Sequence, residues 1–180
     1  MTAYVSGDRR AFEQLFARLA PRLHRFFRRS FGTEATADDL LQQTFLKLHR
    51  ARDSYDHTMR VAPWAFAIAS RVRLDEFRRR KRLAEDGDEE ALARADEARA
   101  ADPPGGGLDP DTADAVRRAV DALPESQRVV IHLNRFEDMT FAEIARVLGT
   151  TEGAVKLRAF RAYATLRQTL APAVNLGAPS

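Results

Sequence analysis

The sequence predicts an all-α protein: two small helical domains joined by a flexible acidic linker. Three observations carry this expectation. Apolar residues recur at helical spacing between capping residues, and no alternating strand pattern of useful length occurs. The formal net charge of +3 hides a segregation: residues 1–82 hold 18 Lys/Arg against 9 Asp/Glu, residues 83–114 hold 2 against 11, and residues 115–180 hold 9 against 6. The acidic stretch, LAEDGDEEALARADEARAADPPGGGLDPDTAD, has few large apolar side chains and no aromatic, and a Pro-Pro-Gly-Gly-Gly break interrupts it. It cannot bury enough surface to fold alone, and as a flexible chain it would span about 30 Å, with transient helix around residues 89–99.

The elements follow in order. Ala11, Phe12, Leu15, Phe16 and Leu19 predict a first helix, and Pro21 opens a second bearing Leu23, Phe26, Phe27 and Phe31, which Gly32 and Thr33 end. Thr36, three residues before Asp39, predicts a capped start for a helix bearing Leu40, Leu41, Thr44, Phe45 and Leu48. Residues 53–59 lack periodicity and read as a loop. Pro63 suits the first turn of a longer helix ending near Arg80. In the C-terminal block, residues 112–123 are amphipathic and Pro124 opens a helix carrying Val129, Val130 and Leu133. Thr140 and Glu143 form a second capping pattern, Phe141, Ile144, Ala145 and Leu148 share a face, and Gly149 supplies a left-handed stop. Thr151 then caps a last helix reaching about Leu170.

Composition excludes several classes. The absence of cysteine rules out disulfides, thiolate metal sites and a cysteine nucleophile. No apolar run approaches a membrane span and the N-terminus lacks a signal-peptide core, so a cytoplasmic protein without membrane insertion is expected. There is no Walker loop, HExxH or GxSxG, and His24, His49, His57 and His132 are scattered without metal-ligand spacing. Helix capping explains the Asp38-Asp39 pair more simply than catalysis does. A non-enzyme with no cofactor and no metal is expected.

Three segments carry functional patterning. TFAEIARVLGTTEGAVKLRAFRAYATLR reads as a helix-turn-helix, with Val155, Ala159, Ala162 and Leu166 toward the core. Lys156, Leu157, Phe160, Arg161 and Arg167 point away, with Arg158 at the border. This fits an ordinary hairpin with a solvated basic face, or a major-groove reader whose cations reach guanine edges or phosphates and whose Leu157 or Phe160 touches thymine methyls. Bare apolar groups on a cationic face favour the second. PWAFAIASRVRLDEFRRRKR joins an aromatic helix start to a basic end, where five consecutive cations, Arg78 to Arg82, exceed what a helix C-terminus needs. Trp64 reads as a core residue more readily than as a base-stacking one. TADDLLQQTFLKLHR is amphipathic, with Asp38, Asp39, Gln42, Gln43 and Leu46 opposite Leu41, Phe45 and Leu48.

Taken in order, DDLLQQTFLKLHR, PWAFAIASRVRLDEFRR and LPESQRVVIHLNRFEDMTFAEIARVLGTTEGAVKLRAFRAYATLR resemble the extracytoplasmic-function type of bacterial RNA polymerase sigma factor. The resemblance implies a domain 2 over residues 8–82, a linker over 83–111 and a domain 4 over 112–170. It implies that Asp39, Gln42, Gln43 and Leu46 dock on the clamp helices of the largest subunit of core RNA polymerase. It places Trp64, Ser70, Arg71, Arg73, Arg78 and Arg79 at the −10 element of promoter DNA, where strands melt. Thr151, Glu152, Lys156, Leu157, Arg158, Phe160 and Arg161 would lie at the −35 duplex. It also implies an anti-sigma factor as a partner. The alternative is a free-standing helix-turn-helix regulator that binds its operator without polymerase. The sequence departs from the family pattern at Leu157, where serine is common, and at Arg71, where asparagine is.

Overall fold

The computed structural model describes residues 1–85 and 110–175, and every regular element there is helical. The proposed transient helix at residues 89–99 lies outside the described residues. The helices are α1 (Thr2–Val5), α2 (Arg9–Phe31), α3 (Glu34–Ala51), α4 (Val61–Glu85), α5 (Pro110–Asp121), α6 (Glu125–Arg135), α7 (Phe141–Leu148) and α8 (Glu152–Asn175). The chain divides into two compact units, with α1–α4 in the first and α5, α6 and α8 in the second.

In the first unit α2, α3 and α4 pack on one another. α2 runs unbroken through Pro21, against the expected break. A proline inside a helix removes one ladder bond and crowds the preceding turn. Here Pro21 is exposed, while Leu19, Ala20, Leu23, Phe26, Phe27 and Phe31 are all buried. One apolar stripe therefore holds both halves in line. Gly32, with φ of 85°, ends the helix as expected.

α3 opens earlier than the sequence suggests. Its cap is Thr33, whose Oγ1 accepts from the Thr36 backbone N–H at 3.2 Å. Thr36 instead uses its hydroxyl to accept from Arg80 Nη2 at 3.1 Å, tying the start of α3 to the end of α4. Arg80 also lies 4.7 Å over the Phe31 ring. α1, too short to leave a periodic signal, buries Tyr4 against Phe12, and the Tyr4 hydroxyl and His49 Nδ1 are 3.0 Å apart.

In the second unit Leu123, Ile131 and Ala162 form a buried cluster, with Leu166 packed against it. Pro124 stands at the N-cap of α6, and α5 begins at Pro110, close to its expected start. The α6–α7 loop is pinned by Asn134 Nδ2, which donates to the Met139 carbonyl at 2.9 Å.

Candidate nucleic-acid interface

The start of α7 and its turn into α8 are built by local hydrogen bonds that the sequence specifies. The Thr140 backbone N–H donates to Glu143 Oε2 at 2.9 Å, and the Glu143 N–H donates to Thr140 Oγ1 at 3.2 Å. This reciprocal box satisfies two donors that a helix start leaves open. Gly149, at φ 62°, takes the left-handed position after α7, and the Thr150 N–H returns to the Ala145 carbonyl at 2.9 Å. Thr151 Oγ1 accepts from the Ala154 N–H at 3.2 Å and starts α8. Two capped helices around a glycine stop form the expected helix-turn-helix.

On α8, Val155, Ala159 and Ala162 are buried, as expected. With 3.6 residues per turn, Gly153, Leu157 and Ala164 fall opposite them, with Phe160 and Arg161 equally far to either side. Leu157 is 47% exposed and Phe160 72%. Arg161 flanks this line on one side and Lys156 on the other, both exposed. Lys156 Nζ lies 2.7 Å from Glu152 Oε1, an exposed pair one turn apart that holds the ammonium only weakly. Thr151 is exposed at the helix start, and Arg158 is half-buried beside the core stripe. Gly153 and Ala164 escaped the sequence reading because they carry little chemistry. Centring the wheel on the outward direction, rather than on the core, brings them out.

On α3, Asp39, Gln42, Gln43 and Leu46 form one exposed face, with Leu46 53% exposed. Leu40, Thr44, Phe45 and Leu48 are buried on the other side.

α4 divides the residues assigned to the −10 element. Arg71 is exposed, and Arg78 is exposed beside Asp75 at 3.9 Å. Trp64 is half-buried, with Tyr55 edge-on at 5.0 Å. Ser70 and Arg73 need correction: each is only 7% exposed. The Arg73 guanidinium lies 5.6 Å over Phe26 and 5.4 Å over Phe77, so its charge faces aromatic rings inside the unit. Neither side chain is placed to meet DNA. Ser70→Ala should therefore leave promoter melting unchanged and shift stability by about 1 kcal/mol or less, because its buried hydroxyl has no hydrogen-bond partner among the described residues. Permanganate footprinting of the open complex checks this, and a loss of melted thymines would return Ser70 to the interface.

The arginine run also serves the fold. Arg79 Nε and Nη2 donate to the two oxygens of Glu76 at 2.7 and 2.8 Å, and Arg80 Nε adds a third bond at 2.7 Å. Burial pushes the Glu76 carboxyl up, but these charged donors outweigh it and hold it below its ordinary value of 4.5. The spacing of Glu76 to Arg79 and Arg80, three and four residues, is the sequence signal for this cluster. A depressed folded-state value gives stability that is present above the unfolded value and lost as pH falls through the folded one. The first unit should thus lose stability as pH drops below about 4.5. Glu76→Gln should lower stability at neutral pH and flatten that acid limb, measured by urea unfolding across pH.

Comparison with known proteins agrees with this architecture. Residues 15–83 match the family model for sigma-70 region 2, and residues 113–166 match that for sigma-70 region 4. These two segments define a sigma-70-type transcription factor. Over 170 residues the chain is 36% identical to the ECF RNA polymerase sigma factor SigM of Mycobacterium tuberculosis, covering 94% of this chain and 82% of that protein. It is 34% identical to the RNA polymerase sigma factor CarQ of Myxococcus xanthus, covering 94% and 95%. The sigma factor RpoE of Bartonella quintana, solved in complex with the anti-sigma factor NepR, matches with a TM-score of 0.73 at 25% identity, over 89% of this chain and 96% of that one. CnrH, solved in complex with the cytosolic domain of CnrY, matches with a TM-score of 0.65 at 31% identity, over 95% and 94%. The chain belongs to the extracytoplasmic-function (ECF) family of RNA polymerase sigma factors, which direct the polymerase to promoters. No helix among the described residues is long and apolar enough to cross a membrane.

Proposed function

We propose that this sigma factor works as two promoter-reading domains, residues 8–82 and 112–170, leashed by the acidic segment 83–111 and carried by core RNA polymerase. The observation that supports it best is α8: a capped, outward-facing helix with exposed Lys156 and Arg161 on either side of exposed Leu157 and Phe160. A helix of this kind enters a major groove, its cations meeting phosphates and its centre meeting base edges. Thr151, Glu152 and Arg158 complete the −35 surface. Arg71, Arg78 and Arg79, with Trp64 at the head of α4, supply cations and an aromatic for the −10 element, a combination suited to melted strands.

The exposed face of α3, Asp39, Gln42, Gln43 and Leu46, docks on the clamp helices of the largest polymerase subunit. The factor itself catalyses nothing and acts in the cytoplasm. An anti-sigma factor holds it inactive, as the partners of the solved relatives suggest. The test combines co-elution with core enzyme and run-off transcription from a genomic library. Promoter-dependent transcripts should appear only when the chain and core enzyme are both present. Leu46→Asp should weaken co-elution by about tenfold, the scale of an apolar anchor replaced by a buried charge. Tight, polymerase-independent binding to a palindromic operator would overturn the proposal.

A further inference from the structure

Three polar side chains meet in one hydrogen-bonded line at the C-terminal end of α3. Arg52 Nη1 donates to His49 Nε2 at 2.8 Å and to the His49 carbonyl at 3.2 Å. A guanidinium can only donate, so Nε2 is the acceptor and the ring proton sits on Nδ1. Nδ1–H then donates to the Tyr4 hydroxyl oxygen of α1, 3.0 Å away. Burial pushes the Tyr4 hydroxyl above its ordinary value of 10, so it stays a neutral phenol.

Arg52 opens the single turn Arg52–Ser54, from which the loop before α4 leaves. The Tyr55 backbone N–H donates to the Arg52 carbonyl at 3.2 Å. Within the loop, Thr58 donates to Asp56 Oδ1 through its N–H at 2.9 Å and its hydroxyl at 2.7 Å, and the Tyr55 hydroxyl donates to the Met59 carbonyl. These bonds brace the loop as one piece that pivots at Arg52. The buried Tyr55 ring meets Trp64 edge-on at 5.0 Å.

We infer that the Tyr4–His49–Arg52 line is a positioning device, by which α1 holds the turn after α3 and, through Tyr55, sets the pose of Trp64 toward the melted −10 strand. The inference rests on the assignment of Trp64 to that strand. Breaking the line leaves the packing in place, since His49 is exposed and Phe12 still covers the Tyr4 ring at 5.5 Å. It frees the pivot, and the loop must then be ordered as DNA binds, a cost that a pre-set loop avoids.

The test uses holoenzyme reconstituted from the full chain and core polymerase. Permanganate footprinting follows the rate of promoter opening, and acrylamide quenching of Trp64 in the free chain reports its pose. Tyr4→Phe removes the hydroxyl and keeps the ring, while His49→Leu removes both side-chain bonds. Each should slow opening about fivefold, the worth of one hydrogen bond, and raise Trp64 quenching. Tyr4→Phe should still co-elute normally with core enzyme. His49→Gln, which offers one acceptor and one donor, should restore both readouts. Trp64→Leu should slow opening at least as much, and adding Tyr4→Phe to it should slow opening no further, as coupled residues require. Wild-type opening by Tyr4→Phe and His49→Leu, no rescue by His49→Gln, or full additivity with Trp64→Leu would each overturn the inference. Wild-type opening by Trp64→Leu would instead overturn the −10 assignment beneath it.

Discussion

Replacing Phe66 by alanine should cost the first unit about 3–5 kcal/mol, the range for deleting a buried aromatic that its surroundings cannot collapse to fill. Phe66 is fully buried on α4, edge-on to Phe26 at 5.4 Å, with the Arg22 guanidinium 5.9 Å from its ring. It joins α2 to α4, so its loss loosens the packing that sets the α3 face and the α4 cations together. Domains of this size are stable by about 5–15 kcal/mol, so the variant would retain only a thin margin. The chain's single tryptophan, Trp64, lies on the same helix two residues away, and its fluorescence reports this unit alone. Urea unfolding followed at Trp64 should show the midpoint falling steeply, while Leu74→Ala, on the exposed face, should barely move it. A loss under about 1 kcal/mol would mean that the Phe26–Phe66 pair is not part of a rigid core.

Local signals read well where the physics is local. The Thr140–Glu143 box, the Gly149 stop and the Thr151 cap are each decided within four residues, and the structure has all three. Pro21 misled because its penalty is local, whereas the stripe from Leu19 to Phe31 that overrides it acts through α3 and α4. Thr33 and Thr36 are both competent caps. The structure uses Thr33, and the Thr36 hydroxyl accepts from Thr33 Oγ1 at 2.7 Å and from Arg80, 44 residues further on, a partner the local pattern does not reveal. Arg73 was the hardest to read. Its helix neighbours Arg71 and Arg78 are exposed, while its guanidinium lies over Phe77, one turn along its own helix, and over Phe26 of α2, a contact that no local pattern reveals. Charge runs record what a segment could bind, not which of its members the fold has already taken.

Reversing both flanking charges of α8, Lys156→Glu with Arg161→Glu, should lower −35-dependent transcription by about 100-fold, at 1–3 kcal/mol for each cation removed plus the repulsion of two new carboxylates. The fold should tolerate the change. Both side chains are exposed, and the Lys156–Glu152 pair that is broken is a surface pair of small worth. Co-elution with core enzyme should persist, because the α3 face lies in the other unit. The salt dependence separates mechanisms. Each phosphate left without its cation takes about one unit off the slope of log affinity against log salt, so the double variant should be shallower by about two. A charge reversal that merely unfolded the second unit would abolish binding at every salt concentration and shift the melting curve as well. If transcription fell with the slope unchanged, the two cations would be reading base edges and not the backbone. Equal loss of core binding and promoter use would make α8 a structural helix and remove it from the interface altogether.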